Sequence, residues 1–231
     1  MKTKGKVAQI PYTLTRRRTN KNIVVRVDEH GHVQVSAPPR SPRHVIEEVI
    51  KNHEKVLRSR IAQRKELLHT FATGDRFIYE GERLTLLVRV GSPSSVQQND
   101  GLLVVTLSEA GLSPQAVEAL LKKHYRKRTR ERVMAMIPRW ATALGLEVPP
   151  FTVRDAKRRW ASCSSSGRLN FSLRCQSLDD EQLSYLVLHE LAHLIHFDHS
   201  AAFHALLRDH MPAYKEIQKS IFAIQAESQL I

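Results

Sequence analysis

The stretch that decides the fold is Leu183–Phe197, which reads LSYLVLHELAHLIHF. Its only charged residue is Glu190. A stretch this apolar belongs in a protein core, and a buried carboxylate without a partner costs several kcal/mol. A metal-bound water beside Glu190 would offset that cost. The run therefore predicts a buried helix at a metal site.

Two histidines of this run are spaced as metal ligands. His189 and His193 lie four residues apart, about 40° apart around a helix axis, so both point at one spot. Imidazole nitrogen is a preferred zinc ligand, and Glu190 is the next residue round the same turn. The HExxH pattern predicts a catalytic zinc with Glu190 as general base. The competing interpretation is a set of core histidines that meet by coincidence.

A third histidine, His199, follows the pair. If the helix continued, His199 would point roughly 120° away from His193 and lie about 9 Å further along the axis. The chain must therefore turn after about Phe197. Ser200 can cap a new helix, and this turn would bring His199 back toward the metal.

Three further residues are candidates for substrate binding. Arg159 and Ser162 could line the cleft and hold an anionic group, or their loop could only brace the helix. Tyr214 could donate a hydrogen bond to an oxyanion near the metal, although core packing explains it as well. Cys163 is interpreted as packing, because a thiolate suits a structural zinc site better than an all-histidine site.

The composition is that of an ordinary globular protein. The 231 residues are 42% apolar and 26% charged. The two cysteines form neither a CxxC pair nor a disulfide framework, which is typical of a reducing cytosol. The first twenty residues lack the apolar core of a signal peptide, and no apolar run reaches the ~20 residues of a membrane span. A cytoplasmic location is expected.

The net charge of +13 suggests a polyanionic partner. Residues 1–110 contain 19 basic and 11 acidic side chains, and residues 111–231 contain 17 and 12. The densest basic run is 122–132, KKHYRKRTRER. Such a helix could make non-specific contact with nucleic acid through counterion release, or it could be a solvated surface.

The remaining pattern predicts an α+β protein. Strands are expected over 23–27, 33–35, 77–79, 84–90 and 102–107, with a loop over 91–101. Helices should start at Ser41-Pro42, where one long helix reaches residue 68, and at Ser113-Pro114, where Pro138 should kink or split the helix. Residues 168–175 alternate as a half-buried strand, and Ser177 should cap the metal helix. No internal repeat is evident.

Several landmarks together resemble one known family. They are the Arg16–Arg18 run with its strand pair, the Gly31 hairpin, the loop Arg159-Trp160-x-Ser162-Cys163-Ser164, HELAHL from His189, and His199-Ser200-x-x-Phe203. The chain resembles the YgjP-like metal-dependent hydrolases, which are related to SprT-type and other zincin peptidases. Two positions depart from the family pattern, Ala161 for Gly and His204 for Trp.

The resemblance implies a zincin-like catalytic half and metal binding by His189, His193 and His199. It divides the chain into a β-rich N-terminal subdomain with one long helix, residues 1–110, and a metal-binding catalytic subdomain, residues 111–231. The expected cofactor is one zinc ion per chain, although another divalent metal would also suit the ligands.

Three functions remain open from the sequence. The first is a zinc-dependent hydrolase of the metallopeptidase type, in which Glu190 activates a metal-bound water. Residues 168–175 could be the edge strand that holds an extended peptide in such an enzyme. The second is a metal-dependent nucleoside triphosphate pyrophosphohydrolase or phosphatase, with six basic residues holding phosphates: Arg154, Lys157, Arg158, Arg159, Arg168 and Arg174. The third is a nucleic-acid-associated protein in which the metal site is secondary.

Overall fold

The computed structural model describes residues 2–28, 31–66 and 69–225. These ranges contain six α-helices and eleven strands in three sheets, which confirms the α+β class. By contacts the chain divides into two compact units, residues 1–68 and 69–229. The sequence predicted a division between residues 110 and 111. The difference arises because strands over 76–107 share a core with the helix that begins at Pro114.

The first unit is a four-stranded sheet covered on one face by helices. Its elements are β1 (Lys2–Val7), β2 (Ile10–Arg16), β3 (Val24–Val27), β4 (Val33–Ala37), α1 (Arg43–Asn52) and α2 (Glu54–Glu66). The strand order is β1-β2-β4-β3, with only β2 and β4 parallel. Alternate residues such as Leu14 and Val35 pack against Ile46 and Ile50. The helix expected as one long element is interrupted at His53, and residues 67 and 68 lie outside the described ranges.

The second unit begins with a sheet of the same connectivity. Its elements are β5 (Arg76–Tyr79), β6 (Glu82–Val90), β7 (Ser95–Asn99), β8 (Leu102–Leu107) and α3 (Pro114–Ala143). The order is β5-β6-β8-β7, again with only the middle pair parallel. The loop predicted over 91–101 is wrong, because β7 pairs along β8 there. Its polar residues fit an edge strand, which faces water on one side.

The rest of the second unit carries the candidate site. Its elements are β9 (Phe151–Arg154), β10 (Ala161–Cys163), β11 (Leu169–Ser172), α4 (Asp180–Ala192), α5 (Ala201–His210) and α6 (Tyr214–Ile224). The sheet order is β10-β11-β9. Residues 168–175 are therefore not an edge strand. They form the central strand β11 and then a 3₁₀ turn over Leu173–Ser177, so neither side of β11 is free for a peptide.

Helix α3 supports the site through its second half, while its first half packs on the second sheet. It begins at the predicted cap, where the Ser113 hydroxyl accepts a hydrogen bond from the Ala116 N–H at 3.2 Å. It continues through Pro138 to Ala143, so of the two predicted outcomes the split is wrong and the kink stays a prediction. Its second half packs against α4 through apolar residues that include Val133, Ile137 and Leu188.

None of the helices in the described ranges combines the length and the apolar character that a membrane crossing requires.

Candidate metal centre

Helix α4, which carries the HExxH motif, begins two residues later than predicted. Asp179 is the N-cap, and Gln182 completes a capping box in which side chains and main chain exchange hydrogen bonds. Ser177, the predicted cap, instead lies buried in the 3₁₀ turn before the helix. Asp180 and Glu181 occupy the first turn, where negative charge is favourable to the helix dipole.

Two neighbouring elements fix the start of α4. The buried Arg132 of α3 donates hydrogen bonds at 2.8 Å to the Leu178 carbonyl and to the Asp180 carboxylate. The turn between β5 and β6 lies against Asp179. There Gly81 has a φ of 85°, its N–H donates to the Ser177 carbonyl, and an added Cβ would lie 2.8 Å from the Asp179 Cβ. The helix is therefore held from both sides before it reaches the histidines.

The three histidines come together at the other end of α4. The helix ends at Ala192, earlier than the turn expected near Phe197, and the chain then reverses into α5, which Ser200 caps as predicted. The Nε2 atoms of His189 and His199 lie 3.4 Å apart. One ligand atom from each of His189, His193 and His199 lies within 4.8 Å of the others. Nitrogens around a tetrahedral zinc at 2.0–2.1 Å would be about 3.3–3.4 Å apart, so the set is close to ligand spacing.

Hydrogen bonds orient the two helical imidazoles. The His193 Nδ1 lies 3.2 Å from the His196 carbonyl oxygen, which only accepts, so the proton belongs on Nδ1 and Nε2 is free. The His189 Nδ1 lies 3.3 Å from the Tyr185 hydroxyl one helical turn earlier. Burial and, to a smaller extent, the neighbouring histidines lower the pKa of His189 to about 3, so this imidazole is neutral, as a ligand must be.

Glu190 is buried beside the triad with one oxygen unsatisfied. Its side chain is 4% exposed, and within the described ranges its Oε2 has no hydrogen-bond partner. Burial raises the pKa of Glu190 to about 7, while the Cys163 main-chain N–H and the charge of Arg159 act to lower it. A buried, unsatisfied carboxylate oxygen calls for a ligand that the protein itself does not supply.

A cleft of about 240 Å³ opens onto His189 and Glu190. One wall is the loop before β10, and the other is the last turn of α6. The lining combines two exposed arginines with apolar and aromatic side chains: Arg158, Arg159, Trp160, Ala161, Tyr185, Leu186, Gln218, Ile221, Phe222 and Gln225.

Arg174 joins the two walls of this cleft. It is fully buried, and it donates hydrogen bonds to the carbonyls of Lys157 at 2.9 Å and of Gln225 at 3.3 Å. Its guanidinium also lies 4.6 Å from the centroid of the Trp160 ring. This arginine therefore holds the loop and the end of α6 in one arrangement and is not directed at a substrate.

The predicted substrate residues are placed differently. Arg159 lines the cleft, whereas Ser162 pairs with β11 at the strand edge and is not among the lining residues. Tyr214 is buried and lies 3.2 Å from the His204 Nδ1, outside the cleft lining. Cys163 is half-buried with its thiol near its neighbour's carbonyl, and it is not among the clustered metal-ligand atoms.

Two parts of the candidate site were not predicted from the sequence. Tyr185 precedes His189 by four residues, so helical spacing alone could have identified it as a contact. The wall formed by α6 had no such signal, because its lining residues, Gln218, Ile221 and Phe222, have no chemistry of their own.

The basic run 122–132 is largely neutralised by neighbouring carboxylates. Lys122 pairs with Glu118 and Asp155, and Arg128 pairs with Glu80 and Glu131. Lys127 lies near Glu131, and Arg132 is buried against Asp180. Four of the seven cations of this run are therefore paired, and Lys123, Arg126 and Arg130 remain exposed.

The family comparison agrees with this chemistry. A family model described as "YgjP-like, metallopeptidase domain" matches residues 21–222. Among solved structures, the metallopeptidase zymogen jannalysin of Methanocaldococcus jannaschii is 23% identical, with a TM-score of 0.37 and an alignment covering 40% of this chain and 88% of that chain. The metallopeptidase zymogen abylysin of Pyrococcus abyssi is 26% identical, with a TM-score of 0.38 and an alignment covering 40% of this chain and 95% of that chain. No curated protein sequence matches significantly.

Proposed function

The chain belongs to the family of YgjP-like metallopeptidase domains, and on that premise we propose that it is a zinc-dependent peptidase whose general base is Glu190. The observation that carries the proposal is the meeting of three imidazoles with a buried carboxylate whose Oε2 is unsatisfied. His189, His193 and His199 would hold the metal through their Nε2 atoms. Three neutral nitrogen ligands are the donor set of a catalytic zinc site, which keeps one position open.

A bound zinc ion would acidify a water and polarise the carbonyl oxygen of the substrate. Glu190 supplies the proton transfers. Its carboxylate takes a proton from the attacking water as the water oxygen bonds to the carbonyl carbon. The same proton then passes to the leaving nitrogen as the C–N bond breaks. Burial raises the pKa of Glu190 to about 7, which suits a group that must both accept and return a proton.

The edge strand β10 can align a peptide beside this centre. Hydrogen bonds from the Ser172 N–H to the Trp160 carbonyl and from the Ser164 N–H to the Arg168 carbonyl mark the even-numbered residues as those that face β11. The main chain of Ala161 and Cys163 therefore faces away from β11. The Cys163 N–H is directed to Glu190, which leaves Ala161 to pair with an extended substrate.

A second candidate substrate is a nucleoside triphosphate. Arg158 and Arg159 on the cleft favour an anionic group, and guanidinium binds phosphate and carboxylate equally well. Arg174 does not contribute, because its donors are engaged with carbonyls inside the protein. Only two of the six predicted basic residues therefore line the cleft.

The decisive experiment is the Glu190→Gln variant of the zinc-loaded protein, assayed on casein-derived peptides and on nucleoside triphosphates in parallel. An amide has the size of the carboxylate but cannot accept the proton. We expect kcat on peptides to fall by about 10²–10⁴-fold with bound zinc unchanged. Peptide turnover at the wild-type rate would reject the assigned base.

Charge reversal at Arg159 separates the two substrates. If a phosphate is held, Arg159→Glu raises KM steeply for nucleotides and little for neutral peptides. Turnover of nucleotides alone by the wild-type protein, with this KM pattern, would replace the peptidase assignment.

A further inference from the structure

The positive charge of this protein is concentrated in its first compact unit. Residues 1–68 contain 16 of the 36 basic residues and 6 of the 23 acidic residues, which gives a formal charge of +10 out of +13. The other 163 residues are close to balance. A division at residue 110 hides this concentration of charge, because residues 69–110 are slightly acidic, with three basic and five acidic residues.

The first sheet presents much of this charge on one face. Leu14, Val33 and Val35 point to the core, so their neighbours along each strand point to the other face. The strand register aligns Lys2, Lys4 and Lys6 of β1 with Thr15, Thr13 and Pro11 of β2 on that face. Gln34 and Arg26 continue it across β4 and β3. We call the face that bears Lys2, Lys4, Lys6 and Arg26 the basic face.

In the part of the chain that the structure describes, the cations of the basic face are not paired with carboxylates. One carboxylate reaches the face from beyond β3, where Asp28 accepts a hydrogen bond from Gln34 at 3.0 Å. All four are exposed, and within the described ranges none forms an ion pair. No acidic residue occupies this face of the four strands. Alternate residues of a strand are about 6.8 Å apart, so the three lysines form a straight row of charges along β1. This arrangement differs from the run 122–132, where carboxylates neutralise most cations.

We propose that the basic face binds nucleic acid through its phosphate backbone, without reading its sequence. A row of fixed cations on a polar sheet matches a linear polyanion, and neutralised phosphates release counterions. The face carries no aromatic residue for base stacking, so contacts are confined to the backbone. Insertion into a membrane would require several large apolar side chains, whereas the exposed apolar residues on the described part of this face are Val24 and Pro11.

The test measures binding of the full-length protein to a fluorescent 20-nucleotide single strand and to a 20-bp duplex over a salt series. The variant is Lys2→Gln/Lys4→Gln/Lys6→Gln. The matched control is Lys51→Gln/Lys55→Gln/Arg60→Gln, which removes three exposed cations from the helices of the same unit.

For the basic-face variant we expect at least a tenfold weaker affinity at about 100 mM salt. The slope of log K against log salt should fall by about 2–3, since each phosphate contact contributes roughly 0.7–0.9. The control should change the slope by less than one, and peptide turnover should be unaffected by either triple variant. This last result separates the nucleic-acid site from the metal centre.

Equal losses in both triple variants would overturn the proposal, because they would indicate diffuse attraction by net charge. Binding of the wild-type protein to vesicles containing phosphatidylserine but not to either oligonucleotide would overturn it as well. If the lysine variant melts early, Arg26→Gln in the middle of the same face replaces it, and an unchanged slope for Arg26→Gln would then count against the proposal.

Discussion

The two four-stranded sheets, β1–β4 and β5–β8, have the same strand order and the same pairing directions. Each is followed at a Ser-Pro pair by a helix that packs on the sheet. The connectivity therefore occurs twice in one chain, although no repeat is evident in the sequence. Sheet topology depends on the alternation of apolar residues, which very different sequences satisfy.

The helices that follow the two sheets differ. In the first unit the helix is interrupted at His53, and the outer residues beyond it are exposed. In the second unit α3 continues for 30 residues, and its far half buries Thr129 and Arg132 against the segment that leads into α4. The comparison shows that the shared topology accounts only for a sheet and the helix that packs on it. The extra helix length is what connects the second sheet to the metal centre.

The largest expected effect comes from a metal ligand in the second unit, compared with a histidine in the first unit that should not affect metal binding. His189→Ala removes one of three ligands and leaves Glu190 buried without a compensating cation. We expect the variant to lose its bound zinc and its peptide turnover to fall by at least 10²-fold. Added zinc should no longer raise its melting temperature. His44→Ala, on an exposed position of α1, should change none of the three. Zinc retention by the His189 variant would contradict the assigned ligands.

The next prediction tests whether the far half of α3 stabilises the second unit. Arg132 and Arg60 each lie nineteen residues after the serine of a Ser-Pro pair. Arg132→Met leaves the buried Leu178 carbonyl unpaired and should lower the free energy of unfolding by about 2–3 kcal/mol, with weaker zinc binding. Arg60→Met, which removes an exposed side chain, should stay within about 0.5 kcal/mol. Urea unfolding of both variants measures the difference, and equal values would remove the contrast between the helices.

A pH effect of similar size is expected from His69, which stacks on Phe77 of the second sheet at 3.8 Å. Burial lowers the pKa of His69 from 6.5 to about 4. Between these values the unfolded chain binds more protons, so stability is lost as the pH falls from 6.5 toward 4, by about 3 kcal/mol at most.

The His69→Phe variant should keep the ring contact and lose the contribution of His69 to the pH dependence, while His189, whose pKa is also lowered, keeps its own contribution. Urea unfolding of metal-free protein across pH 4–6.5 tests it, since metal release then contributes nothing. His44→Gln serves as the exposed control and should retain the wild-type slope. A wild-type slope in the His69 variant would show that another group is responsible.

The smallest effect compares one tyrosine hydroxyl in each unit. Tyr185→Phe removes the partner of the His189 Nδ1 and should weaken zinc binding by about 10–100-fold in a chelator competition. Tyr12→Phe removes a hydrogen bond to Glu47 and should cost about 1 kcal/mol of stability with zinc affinity unchanged. Unaltered zinc affinity in Tyr185→Phe would show that packing alone orients His189.

The sequence was most informative where chemistry and spacing coincide. The positions of His189 and His193 and the turn that returns His199 follow from helix geometry, and the cap at Ser200 was correct. The α+β class and five of the strands followed from apolar alternation. The roles of the histidines and of Glu190 stay predictions until the variants are measured.

Other errors arose where tertiary contacts override local pattern. The polar stretch over 95–99 became a strand because β8 was available to pair with it. Ser177 lost the cap position because its segment is held by Gly81 and α3, which moves the helix start to Asp179. The cleft wall formed by α6 could not be predicted, since its residues matter only through their placement.

Gly81 limits which amino-acid substitutions this protein can accept during evolution. Any side chain there would both occupy the left-handed region and meet the Asp179 Cβ at 2.8 Å, at the cap of the helix that ends in the histidine cluster. A substitution at Gly81 would thus disturb the start of that helix, although the residue lies in a hairpin far along the chain from the motif. Sequence drift in this lineage should therefore spare a surface turn that contains no reactive group.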